Sequence, residues 1–71
     1  MCVASVRSMT HAQKAKRILD NNLIESEIIR LDPKLTTKGC AFGIKFQCVN
    51  LYTVKDALDK NSVKYTEIIS L

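Results

Sequence analysis

Two stretches of this chain repeat one another. Ile18-Leu19-Asp20-Asn21-Asn22-Leu23-Ile24 parallels Ala57-Leu58-Asp59-Lys60-Asn61-Ser62-Val63. Further on, Ser26-Glu27-Ile28-Ile29-Arg30-Leu31 parallels Thr66-Glu67-Ile68-Ile69-Ser70-Leu71, with one extra residue near Tyr65 in the second copy. Each copy reads as a helix end followed by a β-branched strand. The rest of the chain completes each half. Cys2 to Val6 is a short apolar run, read as strand 1. Thr10, three residues before Gln13 at capping-box spacing, opens a helix. Ala12, Ala15, Ile18 and Leu19 recur along one side of it, with Lys14, Lys16 and Arg17 mostly on the other. Asn21-Asn22 closes that helix. Ile24 to Leu31 reads as strand 2, broken by Asp32-Pro33. Ala41 to Cys48 alternates, with Phe42, Ile44, Phe46 and Cys48 on one face, and reads as a half-buried strand 3. Asn50 caps a second helix carrying Leu51, Val54, Ala57 and Leu58. Asn61-Ser62 ends it, and Val63 to Leu71 is strand 4.

The order β-α-β-β-α-β in two similar halves predicts an α+β domain of the ferredoxin-like, split-βαβ kind. Right-handed crossovers then give a four-stranded antiparallel sheet of order 4-1-3-2, with both helices on one face. Residues 1–71 make one domain. Phe42, Ile44 and Phe46 are expected under the helices, and Val3, Ser5, Arg7, Lys45 and Gln47 on an uncovered face. Strands 1 and 3 lie side by side, so Cys2 meets Cys48 at one end. At the other end Cys40 comes close to Ser8, Met9, Thr10 and His11.

A chain of 71 residues buries only about 60% of its unfolded surface. It has no room for a large enclosed active site of roughly 300–1,000 Å³ with a core behind it. The net charge of +4 permits acidic partners without demanding them. No stretch approaches the roughly 20 apolar residues of a membrane span, and the first residues lack the pattern of a signal peptide. With three cysteines, an odd number at wide spacing, a reducing cytoplasm is expected.

The cysteines carry the most chemical interest. Cys40 and Cys48 stand roughly 26 Å apart on a continuous strand, at about 3.3 Å per residue, and cannot share a metal. Cys2 lacks a C-x-x-C partner, so neither a metal nor a cofactor is expected. Cys48, in phase with Phe42, Ile44 and Phe46, reads as a small buried hydrophobe, as does Cys2. Cys40 differs. It follows Gly39, lies where a loop enters a strand, and has Lys38 two residues before it. Exposure, a nearby cation and a helix N-terminus favour a reactive thiolate, although an edge-packing role stays open. His11, the single histidine, is the one candidate base near it. An RNA-binding alternative also stays open, because Lys38-Gly39-Cys40-Ala41-Phe42-Gly43-Ile44-Lys45-Phe46 loosely echoes an RRM strand. It lacks the stacking aromatic at Cys40, and strand 1 has no aromatic at all, which argues against nucleic acid.

The segment Pro33-Lys34-Leu35-Thr36-Thr37-Lys38-Gly39-Cys40-Ala41-Phe42-Gly43-Ile44-Lys45-Phe46 resembles the central motif of the selenium/sulfur carrier protein-like domains, small bacterial proteins of about this length. Ser8-Met9-Thr10-His11-Ala12 and Val54-Lys55-Asp56-Ala57-Leu58 resemble their two helices. The resemblance implies a Gly-Cys carrier thiol at Gly39 and Cys40, with Ala41 where the family usually has Gly. The expected function is therefore a sulfur or selenium carrier holding a persulfide or perselenide on Cys40 and passing it between protein partners. It is a carrier or accessory protein more than a turnover enzyme. Thr10, His11 and Lys38 would stabilise the anion. The alternative is a small basic module that binds RNA or protein, using Lys14, Lys16 and Arg17, with structural cysteines.

Overall fold

The computed structural model describes residues 1–70 apart from 33, 35, 37 and 38. Strand β1 (Cys2–Val6) is followed by helix α1 (Met9–Asn21) and strands β2 (Ser26–Arg30) and β3 (Phe42–Phe46). A single 3-10 turn (Cys48–Asn50) leads into helix α2 (Leu51–Lys60), and strand β4 (Glu67–Ser70) ends the order. The sheet is antiparallel in every pairing, with order β2-β3-β1-β4. Counted from the opposite edge, that is the 4-1-3-2 arrangement. β1 is central because its five residues carry no charge and all are buried. Strand alternation then sends Cys2, Ala4 and Val6 to one side and Val3 and Ser5 to the other.

The first side is the main core. Ala12, Ala15, Ile18 and Leu19 of α1 and Val54, Ala57 and Leu58 of α2 pack with Ala4, Ile44 and Phe46, and Phe42 and Leu51 border them. The register is the expected one, since Phe46 and Ile44 are fully buried here while Lys45 projects away to pair with Glu27 at 3.3 Å. Each such side chain contributes about 1.5–3 kcal/mol.

The repeat has a physical meaning: both copies form the same helix stop. After α1, the Leu23 N–H donates to the Asp20 carbonyl and the Ile24 N–H to that of Leu19. After α2, Ser62 donates to Asp59 and Val63 to Leu58. Asn22 and Asn61 each send their side-chain N–H to a carbonyl four residues back, at 2.8 Å. This is the Schellman pattern twice over, with its apolar pairs Leu19/Ile24 and Leu58/Val63 buried. The left-handed residues are Leu23 (φ 59) and Ser62 (φ 57), one position beyond Asn22 and Asn61. The extended stretches are shorter than expected: β2 begins at Ser26, β3 ends at Phe46, and β4 begins at Glu67.

The second side of the sheet departs from expectation most. Val3 and Ser5 are fully buried there, so the centre of that face is covered. Described residues between β2 and β3 lie against it. Leu31, Thr36 and Cys40 are buried, and the Leu31 side chain and Val3 together fill the space where a Cβ on Gly43 would stand. Gly43 is needed for that close approach.

Candidate thiol site

Gly39 has φ +69 and open space around it. The backbone conformation, not packing, is what requires glycine there. The turn delivers Cys40 inward, leaving it 5% exposed, which corrects the expectation of a partly exposed thiol. Its backbone N–H donates to Thr36 Oγ1 at 2.8 Å, and the Thr36 hydroxyl donates to the Cys40 carbonyl at 3.5 Å. Its sulfur lies 3.1 Å from Thr66 Oγ1. Thr66 in turn sits 2.7 Å from Ser5 Oγ and is held to β1 by its N–H on the Ser5 carbonyl at 2.8 Å. The Ser5 hydroxyl also reaches the Glu67 carbonyl at 3.2 Å. The Ser5 hydroxyl has the Glu67 carbonyl as an acceptor and the Thr66 hydroxyl has the Ser5 carbonyl at 3.3 Å, so Thr66 is the group placed to donate to the sulfur when it acts as a thiolate.

The expected partners of Cys40 stand elsewhere. Ser8, not Thr10, is the N-cap of α1, accepting the His11 N–H at 3.3 Å. Helix α1 starts at Met9 and Thr10 is an exposed residue within it. The His11 ring nitrogen Nδ1 is 2.7 Å from Ser8 Oγ, so the imidazole bonds to the cap and not to the thiol. Lys38 lies outside the described residues. His11 does approach the site from another side: with Arg7, Lys64, Tyr65 and Thr66 it lines an open cleft of ≈ 450 Å³. Burial, and then the charge of Asp59, raise the Tyr65 hydroxyl above its ordinary value. Ser5, Thr36 and Thr66 went unnoticed in the sequence, although Ser5 is the one polar residue in Cys2–Val6.

At the far end of β1 the expected meeting of Cys2 and Cys48 is a covalent one. They form a disulfide with Cα atoms 5.0 Å apart, across 46 residues. Cys48 is not a buried strand residue. It opens the 3-10 turn after β3 and is exposed. Expecting two free thiols from an odd cysteine count overlooked this pair, and Cys40 is the free cysteine that remains. Among the described residues no group of His, Cys, Asp and Glu could hold a metal ion, and no helix is long and apolar enough to cross a membrane. The RNA surface suggested by the RRM-like segment is not available. An RRM stacks bases on its open sheet face, whereas here Val3 and Ser5 are covered and Phe46 lies in the core on the helix side.

The arrangement defines a class: an α+β domain with helices packed on one side of a four-stranded antiparallel sheet, and one free cysteine held by hydroxyls against the other. The chain belongs to the family described as “Putative Se/S carrier protein-like”, whose model matches residues 1–70. No curated protein and no solved structure matches it significantly.

Proposed function

We propose that the protein is a sulfur or selenium carrier in which Cys40 holds the cargo as a persulfide or perselenide. One observation carries the reading. The bond between Cys2 and Cys48 leaves Cys40 as the free thiol of a chain with three cysteines. The family description agrees with it. In the loading step the Cys40 thiolate attacks the outer sulfur of a donor persulfide. The donor's S–S bond breaks, the donor thiolate leaves, and Cys40 keeps the sulfur. Unloading is the same exchange with an acceptor thiolate attacking the outer atom and Cys40 leaving. Neither step consumes an oxidant. The Thr66 hydroxyl, 3.1 Å from the sulfur, is placed to donate to it as it attacks. Because Cys40 is buried, the chain around Gly39 has to lift from the sheet when a donor or acceptor protein docks. Gly39 is the expected pivot, and His11 lines the cleft that reaches Thr66 beside the thiol. We assign the fold to the ferredoxin-like group on the crossing of its two βαβ halves.

The test is alkylation without reductant, with peptide mapping, before and after exposure to a persulfide donor. The carrier reading expects label on Cys40 alone, and a donor-dependent product that reductant removes. Label on Cys40 with no donor-dependent product would leave it an edge-packing residue.

A further inference from the structure

The cleft beside the thiol has an unusual lining. Arg7, His11, Lys64, Tyr65 and Thr66 contribute two cations, an imidazole and two hydroxyls, with no carboxylate among them. Arg7 and Lys64 are both exposed. Lys16, Lys45 and Lys60 are each paired with a carboxylate; Arg7 and Lys64 have no ion pair among the described residues. Asp59 opposes them, reaching Tyr65 from the adjoining cleft that it lines with Ser62, Val63, Lys64 and Tyr65. Unpaired charge of one sign in a concave surface concentrates potential and draws anions. Thr66 joins this cleft to the thiol, because it lines the cleft and its hydroxyl lies 3.1 Å from the Cys40 sulfur.

We propose that the cleft is a binding site for a small divalent sulfur oxyanion, and that thiosulfate is the donor it seats. The cations and hydroxyls hold the three oxygens, and the outer sulfur is presented toward Cys40. The donor role rests on the carrier reading; the binding site does not. In the transfer, the Cys40 thiolate attacks the outer sulfur of thiosulfate. A bond forms between the two sulfurs, the S–S bond of thiosulfate breaks, and its electron pair leaves with sulfite. A thiolate and a dianion become a persulfide anion and a dianion, so atoms, charge and electrons balance with no further reagent.

Calorimetric titration of the disulfide-intact chain with thiosulfate and with sulfite tests the site, and sulfite release together with intact mass tests the donor role. Both anions are expected to bind. Arg7→Gln/Lys64→Gln should weaken binding by about tenfold or more, with the single variants as a check should the double one fail to fold. Lys14→Gln/Arg17→Gln, an equal change of charge at exposed α1 residues that do not line the cleft, should leave binding nearly unchanged. Cys40→Ser should bind thiosulfate and release no sulfite. Absence of binding, or equal loss in the two double variants, overturns the site. Binding without sulfite release, in a protein that a protein persulfide does load, overturns the donor role and leaves the carrier reading standing. Binding without loading from any donor overturns the carrier reading and leaves the site.

Discussion

The Cys40 sulfur and the Thr66 hydroxyl oxygen are 3.1 Å apart, a contact between the residue after Gly39 and the residue just before β4. It ties the free thiol to the centre of the sheet, because Thr66 is bonded to Ser5 through both its hydroxyl and its backbone. Hydrogen bonds to a charged group contribute about 1.5–3 kcal/mol. Thr66→Val keeps the shape and removes the donor, so the rate of Cys40 alkylation at neutral pH should fall about tenfold or more. Thr66→Ser should restore it. An unchanged rate in the valine variant would mean that the hydroxyl does not support the thiolate.

The Cys2–Cys48 bond closes a separation of 46 residues. Constraining an unfolded loop of that length contributes about 2–4 kcal/mol. Cys48 is exposed, so reductant can reach it without unfolding the chain. Urea midpoints should drop on reduction and in Cys2→Ala/Cys48→Ala by similar amounts, and reductant should not move the midpoint of the double variant.

Leu23 combines φ 59 with 94% exposure. It endures the left-handed conformation without burying its side chain. Leu23→Gly should therefore stabilise the domain by about 1 kcal/mol, the cost of left-handed backbone less the extra entropy of unfolded glycine. Thermal unfolding of the variant beside Leu23→Ala, which keeps the strain, isolates the backbone effect.

Tyr65 sets an alkaline limit. Its hydroxyl is raised above the ordinary value of 10.0 by burial and by Asp59. Below that pH both states keep the proton and its contribution is complete. As pH rises from 10.0 through the folded value, the unfolded chain releases the proton first and stability is lost. Unfolding midpoints followed upward from pH 9 should fall less steeply in Tyr65→Phe than in the wild type.

Much of the fold was legible because it is written in local signals. The repeat around Asn22 and Asn61 marks two identical helix stops, and the alternation from Phe42 to Phe46 sets the register that puts Ile44 in the core. Pairing of β1 with β3 followed from the order of elements, and with it the approach of Cys2 to Cys48. The bond itself was hidden because Cys48 was read as the last in-phase strand residue, whereas the chain leaves the strand after Phe46. The start of α1 was misplaced by two residues because Ser8 and Thr10 are both cap-forming types, and spacing to Gln13 favoured the wrong one. The thiol site was the least legible. Leu31, Thr36 and Cys40 have no periodicity that places them against a sheet. The contact of Cys40 with Thr66 joins residues 26 apart and depends on the register of β4 against β1, which the order of elements alone does not give.

Intact-mass measurement of the disulfide-bonded protein after incubation with a persulfide donor, beside Cys40→Ser, tests the central claim most directly. The carrier account predicts that the wild type gains one sulfur atom, removable by reductant and mapped to Cys40, and that the variant gains none. Equal gain in both proteins, or sulfur mapped to Cys2 or Cys48, would contradict it.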